Sequence, residues 1–169
     1  MKGIVYLDSA SVSPTPSFVL RKMDIYHRQF PFNYGVGIFR KAELCKAQVN
    51  KARGFIARLI GARAEEIVFT KNTTEAINLV SSGLEFGTGD EIIVTELEHQ
   101  SNLIPWLRLE KEKGVRVKVI EASKEGFVEP SNISRALSQK TKLVTMTHVS
   151  NLLGTVQRVE EIGRILHSN

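Results

Sequence analysis

Three short polar clusters follow one another along this 169-residue chain, each just after a strand-like run. The first is Lys71-Asn72-Thr73-Thr74-Glu75-Ala76-Ile77-Asn78, with Thr73 and Thr74 at the start of a helix-like run. Free backbone N–H groups and the positive end of the helix dipole favour an anion there, and two hydroxyls add donors. Plain N-capping by either threonine would account for the same residues. The second is Glu96-Leu97-Glu98-His99-Gln100-Ser101-Asn102, where His99 stands at a loop-to-helix junction. An imidazole there can stack on an aromatic ring or move a proton, and it can equally be an ordinary surface histidine. The third is His148-Val149-Ser150-Asn151-Leu152-Leu153-Gly154-Thr155. Asn151 can donate a hydrogen bond to a phenolate-like oxygen, or serve turn chemistry before Gly154. Each cluster alone has an everyday explanation. Together, at the ends of three strands, they suit an aromatic, phosphorylated ligand.

The elements that must carry these clusters alternate regularly. Strands are predicted at Ile4–Leu7, Glu66–Thr70, Glu91–Thr95, Arg116–Glu121 and Lys142–Thr147. Helices are predicted at Ser17–Gln29 (after Pro14 and Pro16), Thr74–Leu84, Ser101–Lys113, Pro130–Leu137 and Val159–His167. A longer helix, Phe39–Ile60, carries Cys45, Val49, Ala52, Ile56 and Leu59 as an apolar stripe and stops at Gly61. The segment Pro31–Gly37, rich in aromatics and glycine, reads as a loop. Strand–helix alternation argues for an α/β layer with a mostly parallel sheet flanked by helices. The nearly continuous apolar runs Ile92-Ile93-Val94 and Leu143-Val144-Thr145-Met146 are those of strands covered on both faces. Ligands in such sheets bind beyond the carboxyl ends of the strands, where the three clusters fall.

Composition bounds the function. With 42% hydrophobic and 24% charged residues, the chain can bury the core of one ordinary domain. It has one cysteine, Cys45, so no internal disulfide framework is possible. No apolar run reaches membrane-spanning length, and the N-terminal apolar stretch is too short for a signal peptide, so a cytoplasmic protein is expected. The net charge of +5 is spread along a helix face at Arg40, Lys41, Lys46, Lys51, Arg53 and Arg58 rather than concentrated, which argues against a nucleic-acid partner.

Taken in order, Tyr6-Leu7-Asp8-Ser9-Ala10, Phe69 to Val80, Leu97 to Trp106 and His148 to Thr155 resemble the cysteine desulfurase family. This group of class V, fold-type I pyridoxal-phosphate (PLP) enzymes includes selenocysteine lyases. The resemblance covers essentially the whole chain, as the N-terminal portion of such an enzyme. It implies an incomplete fold-type I large domain, read as a single domain over 1–169, with an N-terminal segment at 1–30 and the partial PLP-binding part at 31–169. It implies that Thr73 and Thr74 hold the PLP phosphate, that His99 stacks on the pyridine ring and that Asn151 bonds the ring hydroxyl oxygen. Departures are visible: Gly35–Phe39 stands where many members carry His-Arg-Gly-x-His, Asn72 where a glycine is common, and Gln100 where a second histidine often follows.

The family also needs a Schiff-base lysine, an acidic partner for the pyridine nitrogen, a sulfur-accepting cysteine and an arginine for the substrate carboxylate. The resemblance puts all four on segments beyond Asn169. No lysine here carries the mark of the Schiff-base residue, and Cys45 lies on an apolar stripe, where cysteines behave as small hydrophobes. The expectation is therefore an oligomeric split enzyme: a second polypeptide supplies the missing groups, L-cysteine or a similar amino acid is the substrate, and no catalytic residue or metal lies in this chain. A non-catalytic scaffold derived from a PLP enzyme, or a truncated gene product, is the alternative.

Overall fold

The computed structural model describes residues 3–29, 31–32, 34 and 39–168. Most of the unusual Gly35–Phe39 segment, and part of the expected 31–37 loop, lie outside the described residues. The chain forms two compact units, 1–69 and 70–169.

In the first unit, α1 spans Ser17–Gln29, as its sequence predicts. The Pro16 carbonyl accepts the N–H groups of Val19 and Leu20, so the proline-ringed entry feeds straight into the first turn. α2 spans Arg40–Leu59. It ends where Gly61 takes φ 70°, a left-handed conformation open to glycine without Cβ strain. Its covered face differs from the predicted stripe. Ala42 and Ala57 are buried and Cys45 and Val49 half-buried, whereas Ala52, Ile56 and Leu59 are exposed.

Two predicted strands are absent. Ile4–Leu7 forms no ladder; its aliphatic side chains are exposed, and Tyr6 turns its hydroxyl back to the carbonyls of Asp8 and Val12. At Glu66–Thr70, Glu66 instead closes a 3-10 turn, Ala64–Glu66, by accepting the Arg63 N–H at 2.7 Å. The residues after it run without strand pairing. Alternating apolar residues give strand propensity, but a strand exists only beside another strand's free N–H and C=O groups.

The second unit holds α3 (Thr73–Gly83), β1 (Glu91–Thr95), α4 (Ile104–Lys113), β2 (Arg116–Ile120), α5 (Pro130–Ala136), β3 (Thr141–Val144) and α6 (Val159–His167). The sheet order is β2-β1-β3, with both pairings parallel. β1 is central and buried throughout. Ile92 and Val94 pack on one face with Phe86, Trp106, Leu109 and Val115. Ile93 packs on the other with Val128, Ile133 and Ile162. Cover on both faces is why Ile92-Ile93-Val94 is apolar without alternation. The resulting α/β layer is the parallel, helix-flanked sheet that the strand–helix order predicts.

Two boundaries move, and both matter for the site. The predicted helix Ser101–Lys113 is two pieces, a 3-10 turn at Gln100–Asn102 and then α4, because Pro105 has no N–H to continue a helix from the preceding turn. The predicted strand Lys142–Thr147 is shorter. β3 stops at Val144; one more backbone bond, Thr145 N–H to Ile93 C=O at 2.9 Å, carries the chain forward before it leaves the sheet. Among the described residues no helix is long and apolar enough to cross a membrane.

At the opposite end of the sheet the Glu91 carboxylate accepts hydrogen bonds from Lys118 Nζ at 2.7 Å and Ser138 Oγ at 2.5 Å. The Lys118 ammonium and then the Ser138 hydroxyl hold its carboxyl below the usual glutamate value. A depressed carboxylate pKa adds stability that is complete above the unfolded-state value and is lost as pH falls through the folded-state value. Chemical unfolding followed across mildly acidic pH should therefore show stability dropping on acidification, and Glu91→Gln should flatten that slope. An unchanged slope in the variant would count against this role.

Candidate functional site

The site is built at the carboxyl ends of β1 and β3 and at the start of α3. α3 is capped by Asn72, whose Oδ1 accepts the Glu75 N–H at 2.9 Å. Glu75 reaches back to the Lys71 N–H at 2.6 Å. Capping is thus done by the residue before the threonines. Among the described residues, the hydroxyls of Thr73 and Thr74 have no hydrogen-bond partner, and both residues are exposed. Their backbone N–H groups lie in the first turn, where a helix offers no internal acceptor. Two N–H and two O–H donors thus stand free at the positive end of a helix.

His99 caps the 3-10 turn that follows β1. Its Nδ1 lies 3.1 Å from the Ser101 backbone N–H and 2.8 Å from the Ser101 hydroxyl. A backbone N–H can only donate, so Nδ1 is the acceptor and the neutral ring carries its proton on Nε2. The imidazole is exposed and fixed on one edge.

A groove of about 340 Å³ brings Thr74 and Asn78 of α3 together with His99, Gln100, Ser101 and Arg108. Thr73 and Asn151 do not line it. Arg108 and Asn78, to which the sequence pattern assigns no role, add a cation and a carboxamide. Arg108 has only a loose ion pair with Glu112, at 3.9 Å, to compete for its charge. A larger groove of about 440 Å³ in the first unit is lined mostly by apolar residues, Ile25, Tyr26, Leu44 and Cys45, with Lys22 and Gln48 beside them.

Asn151 is exposed in a tight turn after β3, and its side chain has no partner among the described residues. Buried Ser150 shapes the turn: its Oγ accepts the N–H groups of Leu152 and Leu153, at 3.3 and 3.1 Å. Gly154 closes it at φ 72°. Buried Gln157 ties its far side to Val128 N–H at 2.9 Å and Gly126 C=O at 2.8 Å.

A polar cluster beneath these loops joins them. Glu98 Oε1 accepts from the Thr95 hydroxyl at 2.5 Å and the Thr147 N–H at 2.7 Å. Its Oε2 accepts from Asn102 Nδ2 at 2.6 Å. Asn102 Oδ1 in turn accepts from Trp106 Nε1 at 3.2 Å and the Thr145 hydroxyl at 2.9 Å. Glu98 and Asn102 are four apart in a polar stretch, a spacing that reads as ordinary surface until the strand ends are seen to converge on them.

Comparison with known proteins gives the arrangement a family context. The family model for aminotransferase class-V matches residues 5–169. A probable cysteine desulfurase from Methanothermobacter thermautotrophicus is 49% identical over 99% of this chain and 42% of its own. One from Pyrococcus abyssi is 39% identical over 96% of this chain and 41% of its own. Among solved structures, the apo cysteine desulfurase of Thermococcus onnurineus superposes with a TM-score of 0.91 at 39% identity, covering 98% of this chain and 42% of that one. A structure described as SspA in complex with cysteine gives 0.89 at 31% identity, covering 96% and 47%. The chain thus spans about two fifths of the length of the curated relatives it matches.

Proposed function

The chain belongs to the class-V aminotransferase family, whose members use PLP, and on that premise we propose that it forms one wall of the PLP site of a cysteine desulfurase-like enzyme. The remaining three fifths of the family length, joined to this chain or supplied by a second polypeptide, carries the other wall. In that reading the complement provides the lysine that anchors the cofactor, the acidic residue facing the pyridine nitrogen, the arginine for the substrate carboxylate and the acceptor cysteine. L-Cysteine gives up its sulfur to that cysteine as a persulfide and leaves as L-alanine.

The observation that carries the proposal is the division of labour at α3. Asn72 does the capping, so both threonine hydroxyls and the N–H groups of Thr73 and Thr74 are left for an anion. That donor set fits a dianionic phosphate. When bound, PLP supplies an electron-withdrawing ring that drains charge from the substrate. This chain's residues bind and orient. Thr73 and Thr74 hold the phosphate, and His99, its proton on Nε2, stacks on the ring. Asn151, its carboxamide uncommitted, donates to the ring hydroxyl oxygen.

The test is assembly of this chain with a C-terminal complement, followed by PLP absorbance and alanine release from L-cysteine. His99→Ala should keep the assembly and weaken PLP binding by about tenfold, the scale of a lost ring contact of ~1–1.5 kcal/mol. An unchanged visible spectrum and rate would remove the stacking role.

A further inference from the structure

Resting on the proposed PLP reading, we infer that Glu98 is the positioning residue that locks the His99 wall of the site to the Asn151 loop, and that it works only as an acceptor on all sides. Its carboxylate meets three donors, two of them fixed in role, the Thr147 N–H and the Asn102 amide, and the third the Thr95 hydroxyl. The Thr147 N–H can only donate. The Asn102 amide cannot turn over, because its Oδ1 faces Trp106 Nε1, an indole N–H that also only donates. Asn102 Nδ2 must therefore face Glu98 Oε2, at 2.6 Å. The Thr145 hydroxyl takes the second lone pair of the same Oδ1, and the Thr95 hydroxyl gives its proton to Glu98 Oε1.

The geometry ties two loops together twice, through Glu98 to the Thr147 N–H at 2.7 Å and through Asn102 to the Thr145 hydroxyl at 2.9 Å. Glu98 immediately precedes His99, and the Asn102 N–H bonds the His99 carbonyl at 2.8 Å. That closes the turn whose Ser101 N–H fixes the imidazole. On the other side, Thr147 begins the path to Asn151, and its hydroxyl bonds the Val149 carbonyl at 3.0 Å. One carboxylate thus sets the spacing between the ring-stacking residue and the ring-oxygen donor. A pre-organised pair of contacts needs such support, since small misplacement is costly.

The chemistry offers a polarity swap as its test. In Glu98→Gln the new Nε2 points its hydrogens at Asn102 Nδ2, a donor against a donor. In Glu98→Gln/Asn102→Asp the amide and carboxylate exchange places and every donor again finds an acceptor. Two readouts are followed in the chain assembled with its complement: PLP affinity, and the nitrogen chemical shifts of the His99 ring, which report the Nε2–H form. The single variant should weaken PLP by about tenfold, the scale of one unsatisfied buried group, and mix the His99 tautomers. The double variant should restore both. A folded Glu98→Gln protein with unchanged His99 shifts and PLP affinity would overturn the inference, and so would a double variant that folds and restores neither. Should Glu98→Gln fail to fold, the double variant carries the decision alone. If the unsubstituted assembly takes up no PLP, the proposed function falls, while the His99 shifts still decide the role of Glu98.

Discussion

Trp106→Ala is expected to lower the unfolding free energy of the chain by about 3–5 kcal/mol, the range for removing a buried aromatic ring and leaving a cavity. Trp106 is 2% exposed and packs among Phe86, Ile92, Val94, Leu109 and Val115, the cluster that covers one face of β1. The loss goes beyond packing. The indole N–H is the donor that orients Asn102, so the truncation also frees the carboxamide beneath the site. Trp106→Phe separates the two effects, since it keeps most of the ring and deletes only the donor. Asn102 Oδ1 would still accept from Thr145, so the phenylalanine variant should lose only about 1–2 kcal/mol. Urea unfolding of the three proteins checks this, and a loss below about 1.5 kcal/mol for alanine would contradict the placement of Trp106 in the core.

The largest effect on ligand binding is expected from Thr73→Val/Thr74→Val. A hydrogen bond to a charged group contributes about 1.5–3 kcal/mol, so losing two hydroxyls should weaken PLP at least about a hundredfold in the assembled enzyme. Stability should scarcely move, within about 0.5 kcal/mol, because both residues are exposed and neither hydroxyl caps the helix. Isothermal titration with PLP, paired with thermal unfolding, measures the two quantities together. A large stability loss with unchanged PLP affinity would assign the threonines to the helix instead.

Much of the framework was legible in the residues. Pro16 before α1 and Gly114 after α4 mark their helix ends by backbone chemistry that works locally, and β1 is unmistakable because burial on both faces demands an unbroken apolar run. Ile4–Leu7 and the stretch after Glu66 misread as strands because pairing is not local: the same alternation serves an exposed segment when no neighbour offers a ladder. The site was legible to the level of residue type. Thr74 and His99 do share a groove, while Thr73 and Asn151 stand outside it. The identity of the α3 cap was not readable, since Asn72, Thr73 and Thr74 are all good capping types and only backbone conformation selects among them. Nor could the Glu98–Asn102 pair be read, because its partners Thr145 and Thr147 lie more than forty residues on, at the end of another strand.

The most direct measurement of the central claim compares PLP with pyridoxal, which lacks the phosphate, in the chain assembled with its C-terminal complement. If α3 and the His99 turn form the phosphate and ring wall, PLP should bind at least about a hundredfold more tightly than pyridoxal, as expected for several charge-assisted hydrogen bonds. Thr73→Val/Thr74→Val should erase most of that difference. Equal affinities for the two ligands, or a preference that survives the double substitution intact, would contradict it.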